Sequence, residues 1–253
     1  MERAEAVLAQ IRNMSRGVLG DSLAGLYVHG SLAFGCFRWD VSDIDYLAVV
    51  KAPVALEDRM EYIRALTEID RYAPPKGIEM SIVPEEDCRM FCHPARYVLH
   101  FSHAHLDGIR ADLRGYCQRM QGRDPDLAAH FAVTRAAGRA IWGEPIETMF
   151  APVDRAACLD SILYDVGNAE ADIEKNPAYI TLNLCRALAY AREDRILSKA
   201  QGGEWGLRNL PARFHTVIRQ AAQAYGSGGT SVSEDSGKEL RAFAGYMLGE
   251  LRP

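Results

Sequence analysis

The sequence predicts an α/β domain followed by an all-helical one, and three observations carry that expectation. Segments of helical and strand periodicity alternate over residues 3–84. From about Asp124 onward the apolar spacing reads as helical throughout. Between the two compositions lies "FAPVDR", in which Pro152 forms a hinge, so domains of residues 1–152 and 153–253 are expected.

Each element has its own signature. Residues 3–19 form an amphipathic helix, with Ala6, Val7, Ile11, Met14 and Val18 recurring near helical spacing. "LAGLYVHG" is a short apolar strand ending at Gly30-Ser31, and a helix or turn follows over residues 31–37. "DIDYLAVV", rich in β-branched and aromatic residues, is the next strand. "ALEDRMEYIRALTEIDRY" places Leu56, Met60, Ile63, Leu66 and Ile69 on one helical face, and Pro74-Pro75 ends it. "GIEMSIVP" alternates Ile78, Met80 and Ile82 on one face with Glu79 and Ser81 on the other. In the second half, "DLAAHFAVTRAAGRAIWG", "YITLNLCRALAYARED", "LPARFHTVIRQAAQAYG" and "KELRAFAGYMLGEL" read as helices, the last two separated by the linker "GSGGTSVSEDSG". "GSGGTS" lacks the lysine and the preceding strand of a phosphate-binding loop.

Composition narrows the function classes. The 253 residues are long enough for one large domain or two small ones, with 48% hydrophobic and 25% charged residues, as in a soluble globular chain. Apolar runs such as "YLAVV" are too short to span a bilayer, and "MERAEAVLAQIRNM" has no signal core, so a cytoplasmic location is expected. The net charge of −5 argues against a nucleic-acid partner and suits a cationic small molecule. Six scattered cysteines without a CxxC pair indicate reduced thiols. Cys88, Cys92 and His93, followed by His100, His103 and His105, have the wrong spacing for a zinc knuckle and read as surface and packing residues.

The residues with most chemistry lie in "HGSLAFGCFRWDVSDIDYLAVV". Asp43 and Asp45, two apart at the start of a strand, project from the same side. Two carboxylates that close are unfavourable unless a cation or a shared proton relieves them. Mg²⁺ takes one or two carboxylates together with phosphate oxygens, so the pair suits a magnesium-bound nucleoside triphosphate. Glu79, opposite Ile78 and Met80 on its strand, reaches the metal if the two strands are neighbours, either to ligate it or to take a proton from an attacking hydroxyl. Gly30 lets a phosphate approach the backbone, and Ser31 adds a hydroxyl and an amide. Singly, each has a bland reading as a strand end, an edge residue or a turn; in this order, after predicted strands, they favour a site.

"HGS", then "SDIDYLAVV", then a carboxylate on the next strand resembles the nucleotidyltransferase fold. "LNLCRALAYAREDRILSKAQGGEWGLRNLPARFHTVIRQAAQAY" is similar to the C-terminal helical domain of the streptomycin/spectinomycin adenylyltransferases. The resemblance implies an α/β nucleotidyltransferase domain, a small mixed sheet with helices, and a helical-bundle domain that closes over nucleotide and acceptor. It further implies AMP transfer from ATP to a hydroxyl of an aminoglycoside or aminocyclitol, with Mg²⁺ and release of pyrophosphate, by a monomer. Ser31, Ser42, Asp43 and Asp45 would hold metal and triphosphate, with Glu79 as base and metal neighbour. Arg186, Lys199 and Tyr225 would act on the nucleotide from the helical domain. The streptomycin-modifying members carry a tryptophan after a segment matching "RYVLHF"; here Ala104 lies near that position, and no tryptophan occurs between Trp39 and Trp142. Their acidic and histidine drug contacts fall near Asn176 and Tyr179, leaving Asp172 or Glu174 to supply the charge. Spectinomycin therefore fits better than streptomycin. The competing readings are a nucleotidyltransferase with another acceptor (protein, RNA or small molecule) and an inactive nucleotide-binding relative, against which the carboxylate trio counts.

Overall fold

A computed structural model of the chain describes residues 1–227 and 237–252, so most of the predicted linker, residues 228–236, lies outside the described residues. The chain divides into two compact units, Met1–Asp154 and Arg155–Pro253. In the first, the elements run α1 (Glu2–Leu19), β1 (Leu23–Val28), α2 (Gly30–Ala33), β2 (Ile44–Val50), α3 (Leu56–Asp70), β3 (Ile78–Pro84) and α4 (Glu85–Arg89). They continue with β4 (Ala95–Tyr97), β5 (Leu99–Ser102), α5 (Leu106–Ala111), α6 (Leu113–Arg119), β6 (Gly122–Asp124), α7 (Leu127–Ala137), β7 (Arg139–Gly143) and α8 (Ile146–Met149).

Five strands form a mixed sheet in the order β5-β3-β2-β1-β7, while β4 and β6 pair separately. β2 and β3 run parallel, and the helix α3 provides the crossover that a parallel pair requires. The remaining pairs are antiparallel. Both faces of the sheet are covered. Leu26, Val28, Tyr46, Ala48, Met80 and Ile82 belong to a core shared with Ile11 of α1 and Ile63 of α3. Tyr27, Leu47, Val49 and Val83 pack on the other face with Leu127 and Phe131 of α7. Burial on two faces explains why "YLAVV" is apolar without alternation.

One predicted helix is corrected. Residues 126–143 do not form a single helix: α7 ends at Ala137, and Arg139–Gly143 is a strand paired antiparallel with β1. β7 is exposed at Arg139, Ala140 and Gly143 and half-buried only at Ile141 and Trp142, so it carries no period-2 pattern, and the open edge of β1 decides its conformation. Residues after Asp124 are therefore not uniformly helical, and β6 itself ends at Asp124.

Asp70, at the end of α3, fixes the start of β3. Its buried carboxylate accepts the Ile78 N–H at 2.8 Å and lies 2.6 Å from His103 Nδ1. Asp70→Ala would strand a buried donor beside Glu79. A loss of about 1–3 kcal/mol is expected, read as a lower urea midpoint at unchanged slope.

The second unit contains α9 (Arg155–Val166), α10 (Ala169–Asp172), α11 (Pro177–Glu193), α12 (Lys199–Asn209), α13 (His215–Ser227) and α14 (Gly237–Leu251). α11 is its axis: Leu184, Cys185, Leu188 and Ala189 are buried against Trp205, Val217, Ile218, Phe243 and Met247 from the surrounding helices. α12 lies close to α11, since a Cβ at Gly202 would sit 2.6 Å from Arg186 Cγ. A mixed α/β unit followed by a helical one is the fold class that the sequence predicts. Among the described residues no helix is long and apolar enough to cross a membrane.

Candidate active site

The sheet assembles its polar residues in one cross-strand row. The His29 N–H donates to the Asp45 carbonyl at 3.0 Å, Asp45 pairs with Glu79 in the parallel register, and Glu79 pairs with Ser102 of β5. Asp43 stands just before β2, two residues from Asp45. One carboxylate oxygen from each of Asp43, Asp45 and Glu79 can be chosen so that all three lie within 4.8 Å of one another. The parallel pairing of β2 with β3 brings Glu79 to the aspartate pair, and strand alternation alone could not supply that.

Several features suit this trio to a divalent cation carrying a triphosphate. The three groups are hard oxygen donors, the type that Mg²⁺ selects. Gly30, at φ +60°, lets the Asp45 carboxylate pack directly against its backbone: a Cβ there would lie 2.0 Å from Asp45 Oδ2. Ser31 Oγ is buried without a protein hydrogen-bond partner. Such a hydroxyl is costly unless a ligand uses it. Ser42 is buried, and its Oγ accepts the Arg38 N–H at 3.1 Å, holding the turn that leads into Asp43. The helix expected after Ser31 is the single turn α2.

Two residues that the sequence reading missed lie against the row. His130 Nε2 is 3.1 Å from Asp126 Oδ2, an i,i+4 pair at the start of α7. Burial alone would lower the His130 ring, but Asp126, followed by Glu79 and Asp45, lifts it to about 10. The His29 ring lies 5.0 Å from that of His130. Burial, and then the charge of His130, hold His29 well below the usual histidine range, so it is neutral. The spacing Asp126-x-x-x-His130 was the available signal, but it does not reveal which way the helix faces.

In the second unit, Lys199 opens α12 behind a capping box, with Ser198 Oγ accepting from Gln201 N–H at 3.2 Å. Its ammonium lies 4.9 Å from the Tyr179 ring centre and 5.9 Å from that of Tyr225. Arg186 donates from Nε to the Leu197 carbonyl at 2.7 Å and from Nη1 to Asn183 Oδ1 at 2.9 Å. Asn183 Nδ2 and Tyr179 OH approach Asp165 at 3.4 and 3.5 Å. Arg186, Lys199 and Tyr225 are thus linked through Tyr179, Asn183 and Asp165, the last two of which the sequence reading missed. Asp172 is paired with Lys175 at 2.9 Å, and Glu174 with Arg241.

A family model described as aminoglycoside adenylyltransferase, C-terminal domain, matches residues 148–250. An aminoglycoside (3'') (9) adenylyltransferase of Escherichia coli is 25% identical, over 98% of this chain and 97% of its own length. A spectinomycin 9-adenylyltransferase of Campylobacter jejuni is 20% identical, over 94% of this chain and 92% of its own. Among solved structures, a spectinomycin adenyltransferase from Enterococcus faecialis with ATP and spectinomycin superposes with a TM-score of 0.79 at 17% identity, covering 98% of this chain and 99% of that one. The second half of the chain thus matches the C-terminal domain of the aminoglycoside adenylyltransferases, and the chain is similar over nearly its whole length to aminoglycoside and spectinomycin adenylyltransferases.

Proposed function

We propose that this protein transfers AMP from ATP to a hydroxyl of an aminocyclitol or aminoglycoside antibiotic, spectinomycin before streptomycin, and releases pyrophosphate. The convergence of Asp43, Asp45 and Glu79 at one end of the sheet is the observation that carries the reading. The named activities of its relatives, and the ATP and spectinomycin bound by the Enterococcus protein, support the nucleotide and the acceptor class.

The reaction divides among the chain's own groups. The acceptor oxygen attacks the α-phosphorus of ATP, the bond to the β,γ-pyrophosphate breaks, and the hydroxyl proton passes to a Glu79 carboxylate oxygen. Asp43 and Asp45 would hold Mg²⁺, which when bound neutralises charge on the phosphate oxygens and on the leaving pyrophosphate. The buried Ser31 hydroxyl, which has no protein hydrogen-bond partner, donates to a phosphate oxygen. Absence of a tryptophan between Trp39 and Trp142 supports spectinomycin over streptomycin, because the ring that stacks on streptomycin in the resembling enzymes has no counterpart.

The test is pyrophosphate release from Mg-ATP with spectinomycin, streptomycin and other aminoglycosides offered singly. Release is expected with spectinomycin and not with streptomycin, with an adduct heavier by one adenylyl group in the mass spectrum. Release with streptomycin alone would overturn the acceptor preference, and silence across the panel would overturn the antibiotic reading.

A further inference from the structure

On the sheet face that carries Asp45 and Glu79, the helix α7 is seated by Leu127 and Phe131 against Tyr27, Leu47, Val49 and Val83. Its polar side leads to the backbone of Asp45. Asp126 Oδ2 holds His130 Nε2 at 3.1 Å, and the His130 ring lies 5.0 Å from the His29 ring at a tilt of 56°. The main-chain N–H of His29 in turn donates to the Asp45 carbonyl at 3.0 Å. His29 is buried, so its ring has little room to leave His130, and the ring in turn limits how far the His29 main chain can shift.

We propose that His130, anchored by Asp126 and packed on His29, is a positioning residue that fixes the backbone of Asp45 so that its carboxylate faces the metal. The inference deepens the functional reading and rests on its metal-binding part. Neither imidazole needs to touch ATP or acceptor. A side chain that merely fills space beside α7 could be replaced by an apolar one of similar size. A brace that works through Asp126 needs a polar atom reaching that carboxylate. The path also predicts non-additivity: once either imidazole is lost, removing the other has nothing further to break.

The decisive measurement is Mn²⁺ affinity by titration calorimetry in the presence of α,β-methylene ATP, whose bridging carbon prevents AMP transfer. His130→Leu is expected to weaken Mn²⁺ at least tenfold, while His130→Gln, whose amide can still donate to Asp126, stays within threefold of wild type. His29→Ala should also lose at least tenfold, and the double variant should be no weaker than the poorer single one. If His130→Leu fails to fold, as read by circular dichroism, His29→Ala and His130→Gln carry the test. Mn²⁺ affinity within threefold of wild type in a folded His130→Leu or His29→Ala protein would overturn the brace, as would additive losses in the double variant. With an active acceptor, kcat should fall with Mn²⁺ affinity while the acceptor KM moves less than threefold. No acceptor is needed for the binding measurement, so silence of the antibiotic panel leaves this inference standing. A wild-type protein that binds no Mn²⁺ would end it.

Discussion

Glu79→Gln is expected to lower turnover by about 10²–10⁴-fold while leaving Mg-ATP binding within a few-fold of wild type, the range for losing a general base. Glutamine keeps the length and planarity of the side chain, so the pairing of position 79 with Asp45 and Ser102 survives. What it loses is the negative charge and the capacity to accept a hydroxyl proton at neutral pH. Calorimetry with Mg-ATP and single-turnover adenylylation of spectinomycin separate the two effects. Asp43→Ala provides the contrast, because removing a carboxylate from the aspartate pair should weaken Mg-ATP itself. If Glu79→Gln and Asp43→Ala lost affinity equally and turnover equally, Glu79 would be a metal ligand with no separate proton-transfer role.

The sequence made the site's components readable to different depths. Asp43 and Asp45 follow from spacing alone, since two residues apart in a strand means one face. Glu79 was placed on the opposite face from Ile78 and Met80 by the same rule. That it lies directly beside Asp45 depends on β2 and β3 being parallel neighbours in register, which pairing across a crossover decides. Asp126 and His130 show the limit more sharply. Their i,i+4 spacing marks a helical face, but Leu127 and Phe131 choose which face meets the sheet only once the sheet exists. β7 is illegible for a related reason: "RAIWG" is mostly exposed, and its strand conformation comes from the edge of β1. In the second unit, Lys199, Tyr179 and Tyr225 come from three helices, and only packing around α11 makes them neighbours. The capping box at Ser198 and Gln201, by contrast, is a local signal with a local result.

Gly30→Ala should be nearly as damaging as loss of a carboxylate, although it removes no functional group. Position 30 has φ +60°, which an L side chain adopts at a cost of about 1–2 kcal/mol. That penalty alone would reduce stability and leave the chemistry intact. The larger effect is steric, because the new methyl would lie 2.0 Å from Asp45 Oδ2 and 2.8 Å from its Cγ. Either the Asp45 side chain rotates out of the trio or the 30–31 backbone moves away from the phosphates, and both outcomes weaken Mg-ATP binding and turnover together. A loss of about 10²-fold in kcat/KM is expected, equivalent to about 2.7 kcal/mol of transition-state stabilisation. Gly35→Ala separates the two causes. Gly35 has a similar φ of +70° but nothing within 4 Å of the added carbon, so it carries the backbone cost without the collision. It should lower the urea midpoint and keep wild-type kcat/KM. Equal loss of activity in both variants would mean that the backbone of this loop controls catalysis, whereas loss confined to Gly30→Ala would assign the effect to the seat of Asp45.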